Sequence, residues 1–426
     1  MLIRRIGLLL LLCAGLVGCA VNPVTGQQQL MLQGVDQDIA LGRQHYVPSQ
    51  QSQGGRYVVD PELNLYISGV IRKLADAATG PNLPYEIVVL NNDVPNAWAL
   101  PGGKMAINRG LLFHLQDEAQ LAAVLGHEIV HAAARHGASQ QSKGTLLNAT
   151  VALAGVAVAS RSEEYAALTM GAMGVGANAW MSKYSRDHEL EADRYGIEYM
   201  IKAGYDPQGA VELQQTFVKL SEGSQSNWLE GLFASHPPSQ ARVEANRRRA
   251  EQSPGGVRNK AAFDKAMTQL RRDKPAYDKY QEAIKAANNK EYDKALSLVD
   301  QATKQQPREN LFWELKGQLL VQQKKPAEAI AAFDKSIQAN PEFFRPYVYR
   351  GLTYKQQGKN AQAEQDLIAS QKLLPTQIAT YHLGELALAK GDRNQAIQYF
   401  QAVAQAGGEL GEAAKQQLAK LQPAAQ

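Results

Sequence analysis

The stretch "LAAVLGHEIVHAAARHG", residues 121–137, places His127 and His131 four positions apart inside an apolar run, with Glu128 between them. On a helix, residues i and i+4 lie about 40° apart and one turn along, so both imidazoles can reach one ion. Glu128, about 100° round from His127, can stand beside that ion without ligating it and take a proton from water. Chance supplies an H-E-x-x-H match roughly 0.01 times in a chain of this composition. The pair therefore asks for a third ligand, a carboxylate or a histidine from another helix.

Such a helix is offered by "YSRDHELEADRYGIEYM", residues 184–200. Glu189 and Asp193 are i, i+4 and share a face, whereas Glu191 projects about 200° from Glu189 and is expected to be solvated or structural. One of the facing carboxylates can bind the metal, and the other can accept the free N–H of a ligating imidazole. The remaining histidines receive no role. His136, five positions after His131, points about 140° off the metal face of a continuous helix. His188 faces away from its neighbouring carboxylate, and His45, His114 and His382 have no assignable partner.

H-E-x-x-H followed by E-x-x-x-D in "SRDHELEAD", together with "NAWALPGG" (96–103) and "SHPPSQAR" (235–242), resembles the HtpX/CAAX-prenyl-protease family of zinc metallopeptidases, of gluzincin type. The resemblance covers roughly residues 30 to 250. It implies one zinc ion per chain, held by His127, His131 and Glu189, with Glu128 as the general base and Asp193 as the partner of a ligating imidazole. It also implies that Asn96, Ala97, Trp98 and Ala99 form an edge strand able to pair with an extended substrate backbone. His236 is a candidate catalytic residue. It can donate to the oxyanion, it can close the site as a fourth ligand, or it can sit on a surface loop without either role. Arg242 is a weaker candidate for contact with the oxyanion or the substrate.

The N-terminus, "MLIRRIGLLLLLCAGLVGCA", has a short basic segment at Arg4 and Arg5 and an apolar run at Ile6–Leu12, the pattern of a secretory signal. Leu16-Val17-Gly18-Cys19 resembles a bacterial lipobox, so Cys19 is the expected lipidation site after removal of residues 1–18. Of the two cysteines, Cys13 lies in the discarded part, which leaves none to pair with Cys19. Several acyl chains anchor a protein stably where one does not. Ala20 after the cysteine, by the sorting rule the resemblance brings with it, points to the periplasmic face of the outer membrane. The soluble periplasm is the alternative.

The C-terminal third repeats. Pro307, Pro341 and Pro375 are 34 apart, as are Ala295, Ala329 and Ala363 and the pair Gly317 and Gly351. Trp313, Gly317, Ala329, Phe333 and Pro341 fall at offsets 4, 8, 20, 24 and 32 of a unit starting at Asn310, the 34-residue tetratricopeptide (TPR) pattern. Such solenoids present a concave surface to extended or helical peptides.

The expected fold is thus α+β but mainly α. A zincin-like metallopeptidase domain with a small sheet (56–250) follows a Gln-rich tether carrying at most one short helix (19–55). A linker helix (251–275), four TPRs (276–408) and a capping helix with a tail (409–426) complete the chain. The net charge of +4, falling to +2 without Arg4 and Arg5, gives no case for nucleic acid. Within the family, a signal sequence with C-terminal TPRs marks periplasmic proteases that also assist outer-membrane assembly. The expected partners are therefore unfolded envelope proteins as substrates and assembly machinery docked on the TPRs. Contact with the membrane is expected through the lipid anchor alone.

Overall fold

The computed structural model describes residues 19–143, 184–223 and 235–421. The signal segment at 1–18 and the Ala/Gly-rich stretch 145–180, expected as two buried or substrate-facing helices, lie outside these residues. The described residues fall into two compact units, one of residues 19–46, 62–143, 184–223 and 235–267, the other of residues 47–61 and 268–421.

The first unit opens with a hairpin, β1 (Cys19–Val21) paired antiparallel with β2 (Gln28–Leu30), and continues into α1 (Val35–Ser52). Residues 19–55 are therefore not a tether. Their Gln- and Ser-rich composition suggests a loop, but Tyr46 is buried, edge-on to Trp98 with ring centroids 6.2 Å apart, and donates its hydroxyl to the Met105 carbonyl. α2 (Pro61–Ala77) starts at its proline and buries Leu63, Ile67, Val70, Ile71 and Leu74, the spacing of one helical stripe.

β3 (Glu86–Leu90), β4 (Ala97–Leu100) and β5 (Lys104–Asn108) form a sheet of order β3-β5-β4, with β5 parallel to β3 and antiparallel to β4. The Pro101-Gly102-Gly103 turn joins β4 to β5. Gly102 has φ +75, and a side chain there would run into the backbone of Ile39 at 2.5 Å. Among the described residues β4 is an edge strand, since the sheet order places β5 alone beside it. Trp98 and Leu100 point into a cluster with Val88, Leu90 and Ala106, so the Trp98 ring serves the core. Asn96 stands just before the strand and accepts from the Asn108 N–H through its carbonyl.

After the short α3 (Arg109–Leu112) come α4 (Glu118–Ala133), α5 (Arg186–Lys202), α6 (Gln208–Gly223) and α7 (Gln240–Ala250). Residues 251–259 are not part of a linker helix. They fold back on the first unit, with Val257 bridged to Tyr205 and Arg258 paired with Asp117 at 2.6 Å, and only then does α8 (Lys260–Ala266) begin.

From Thr268 onward the second unit is built of helices. Four helix pairs follow in order: α9 (Thr268–Asn288) with α10 (Tyr292–Gln305), α11 (Asn310–Gln322) with α12 (Pro326–Ala339), α13 (Arg345–Gln356) with α14 (Asn360–Leu373), and α15 (Gln377–Ala389) with α16 (Arg393–Ala406). α17 (Gly408–Leu421) packs on the last pair through Ala414. The first pair begins at Thr268, upstream of the expected Ala276. A Cβ at Gly317 or Gly384 would strike the ring of Phe333 or Phe400 at 2.4 and 2.8 Å, which is why that repeat position stays small. Among the described residues, no helix is long and apolar enough to cross a membrane.

Candidate active site

α4 is buried along its whole length and is capped by Asp117, whose side chain accepts from the Gln120 N–H. It crosses α5 closely at a pair of glycines. A Cβ on Gly126 would sit 3.0 Å from the Gly196 carbonyl oxygen, and one on Gly196 would sit 3.0 Å from the His127 nitrogen. This approach brings the carboxylates of α5 to the imidazoles of α4.

The donors converge. His127 Nε2 lies 3.0 Å from His131 Nε2, 3.3 Å from His236 Nδ1 and 3.4 Å from Glu189 Oε2. Glu189 Oε1 is 3.4 Å from His131 Nε2 and 3.0 Å from His236 Nδ1. A tetrahedral ion bonded at about 2.0–2.1 Å sets its ligand atoms about 3.3–3.4 Å apart, so these separations are close to the edges of one coordination tetrahedron. All four residues are buried, and together they are a group able to hold a metal. Two imidazoles facing each other nitrogen to nitrogen beside a carboxylate also form the donor chemistry that suits zinc.

Asp193 does not join the ligands. Its Oδ1 accepts from His127 Nδ1 at 3.0 Å, which fixes the tautomer that leaves Nε2 free to ligate. Arg242 grips the same carboxylate with Nε at 2.6 Å and Nη2 at 2.7 Å, and its Nη1 is 2.8 Å from Glu189 Oε2. The buried Arg242 guanidinium is thus committed to the two carboxylates of α5. Burial works against ionisation of Asp193, but Arg242 and His127 outweigh it and hold the carboxyl at about 2. For Glu189, burial is likewise outweighed, by His236 and His127, and its pKa falls well below the usual value.

Glu128 stands beside the cluster with Oε1 3.5 Å from His236 Nε2. Its Oε2 is buried with no hydrogen-bond partner among the described residues. Burial raises its pKa, with His236 and His127 pulling it back in part. A carboxylate held this way is a proton acceptor poised closer to neutrality than an ordinary glutamate.

His136, assigned no role from the sequence, belongs to the site. Its Nδ1 lies 2.8 Å from His131 Nδ1, and its Nε2 lies 3.1 Å from Glu191 Oε1, which also accepts from Asn22 Nδ2 at 2.8 Å. If His131 ligates through Nε2, its Nδ1–H donates to His136, whose Nε2–H then donates to Glu191. Glu191 is structural, as expected, with a definite task. His188 stacks on the His136 ring at 4.2 Å, and Tyr184 stacks on His131 at 3.9 Å. The helical projection failed at His136 because α4 ends at Ala133 and Arg135 adopts φ +59. The Arg135 guanidinium, bonded to Asp38 at 2.5 Å and to the Gln33 carbonyl at 2.6 Å, holds that turn. Of the other histidines, His382 pairs with Glu385 at 2.6 Å in the second unit.

Residues 61–250 match peptidase family M48, and residues 280–342 and 350–425 match the tetratricopeptide repeat. The chain is 29% identical over 307 residues to a putative beta-barrel assembly-enhancing protease of Vibrio cholerae serotype O1, covering 65% of this chain and 62% of that protein. Over 224 residues it is 29% identical to the beta-barrel assembly-enhancing protease of Escherichia coli K12, covering 51% of this chain and 45% of that protein. The mitochondrial metalloendopeptidase OMA1 of Schizosaccharomyces pombe is 33% identical over 181 residues, covering 42% of this chain and 50% of that protein. The chain thus spans roughly half to two thirds of these relatives' lengths.

Proposed function

We propose that this chain, a member of peptidase family M48 with tetratricopeptide repeats following its peptidase unit, is a zinc-dependent endopeptidase of the bacterial envelope. The observation that carries the reading is the convergence of His127, His131 and Glu189 donors beside a buried, unpartnered Glu128 oxygen. Zinc at these donors supplies Lewis acidity, polarising a scissile carbonyl and acidifying a nearby water. Glu128 removes the proton from that water and returns it to the leaving amine. Asp193 orients His127, and His136 orients His131. The edge strand at Ala97 and Ala99 pairs with an extended substrate backbone, a mode of binding that favours unfolded chains over folded ones.

The substrates proposed are unfolded or misassembled envelope proteins, and the repeats dock substrate or outer-membrane assembly machinery. The relatives named for enhancing beta-barrel assembly support that assignment. Cys19 is proposed as the lipid anchor to the periplasmic face of the outer membrane.

His236 Nδ1 at the fourth donor position favours a second reading, an assembly adaptor whose proteolysis is latent. A site closed by four protein ligands leaves no room for water. The test is degradation of an unfolded barrel protein by the zinc-loaded chain. Glu128→Gln is expected to lower the rate at least 100-fold while zinc stays bound. His236→Ala raising the rate establishes latency; a large loss makes His236 an oxyanion donor instead. Equal, negligible cleavage by the native chain, Glu128→Gln and His236→Ala overturns the peptidase reading.

A further inference from the structure

We infer that the cavity beside the ligand cluster receives a substrate side chain adjacent to the scissile bond, an aromatic ring ending in a hydrogen-bond donor, tyrosine above all. The inference rests on the peptidase reading. The cavity is bordered by His127, Glu128 and His236, so a side chain in it belongs to a residue next to the reacting carbonyl. Its walls are apolar, with Val124 from α4, Ile197 and Met200 from α5, and Leu213 and Phe217 from α6. Walls of this kind suit an apolar or aromatic group.

Two polar side chains interrupt the apolar lining. Gln214 on α6 is 5% exposed and Asn246 on α7 is 1% exposed. Gln214 Oε1 and Asn246 Oδ1 are both buried without a hydrogen-bond partner among the described residues. Buried acceptors are rarely left unpaired, and a ligand that brings a donor removes the penalty. The other charged residues of the lining, Asp193 and Arg242, neutralise each other at 2.6 Å. A lysine in the cavity would bring its charge to Glu128 and engage the carboxylate that serves as the base. A leucine or phenylalanine matches the apolar walls but leaves both oxygens unpaired, and a serine brings a donor with little apolar surface. A phenol brings the ring and one O–H, which pairs one of the two oxygens.

The test begins with the full zinc-loaded chain digesting an unfolded protein, with cut sites located by mass spectrometry. Synthetic decapeptides that differ only at the residue flanking the cut then carry Tyr, Phe, Trp, Leu or Ala. The expected result is a kcat/KM for the Tyr peptide about tenfold above that for Phe, and lower still for Leu and Ala. Of Gln214→Leu and Asn246→Leu, the one that removes the acceptor used by the phenol is expected to bring the Tyr-to-Phe ratio toward one, and a ratio unmoved in both overturns the inference. That ratio is internal to each variant and is unmoved by a smaller folded fraction. Where a leucine variant does not fold, Gln214→Met or Asn246→Ala serves in its place. Equal cleavage of the Tyr and Phe peptides, or a Trp or Leu peptide outrunning Tyr, overturns the inference. Titrating the Tyr and Phe peptides into Glu128→Gln reads the cavity without turnover. A native chain and a His236→Ala variant that both cut nothing, while Glu128→Gln prefers the Tyr peptide, overturn the peptidase reading and support the cavity assignment. Cleavage without any Tyr preference overturns the assignment alone.

Discussion

Each imidazole that α4 brings to the donor cluster has a partner on its far nitrogen, and the two partners differ in kind. His127 leans on a carboxylate directly, Asp193 at 3.0 Å, whereas His131 reaches its carboxylate through His136. A neutral imidazole is a softer acceptor than a carboxylate, so His136 transmits the pull of Glu191 while keeping charge away from the metal. His136→Ala is expected to weaken zinc binding about 10- to 100-fold, read by competition with a chromophoric chelator. Unchanged affinity would reduce His136 to a packing residue. The convergence of His127, Glu128, His131, Glu189 and Asp193 was legible in the sequence because each lies within an unbroken helix, where spacing converts directly to direction. His136 was not, because one left-handed residue, Arg135, turns the chain, and nothing in the local residue pattern announces a positive φ at an arginine. The compensation comes from Asp38, nearly a hundred positions earlier in the chain.

Among elements, the α4–α5 crossing and the repeat pairs use one device, a small residue where backbones or rings come close. The 34-residue period exposed it in the repeats, since Gly317 and Phe333 recur at fixed offsets as Gly351 with Leu367 and Gly384 with Phe400. Gly317→Ala puts a methyl into the Phe333 ring, and overpacking of this kind costs about 1–3 kcal/mol. The expected readout is a lower thermal midpoint for the second unit with peptidase activity retained. No such period flags Gly126 and Gly196, which occur once each. Residues 19–55 were misread for a related reason. Their polar composition resembles a linker, while Tyr46, Leu41 and the buried Asp38 find their partners on the sheet and past the end of α4.

Over the whole molecule, the metal donors all belong to one of the two units. An ion that binds only the folded state adds about 2.7 kcal/mol of stability at a free concentration 100 times its dissociation constant. Chelation is therefore expected to lower hydrogen-exchange protection in α4, α5 and the segment around His236, and to leave α9 to α17 unchanged. Loss of protection throughout both units would show that the two are energetically one. The hairpin at the start of the described chain adds a mechanical consequence. Asn22, three residues after the proposed anchor Cys19, donates to the same Glu191 oxygen that receives His136. Were Cys19 the membrane anchor, a pull on it would be loaded, within three residues, onto the hydrogen bonds that run from Asn22 through Glu191 and His136 to His131.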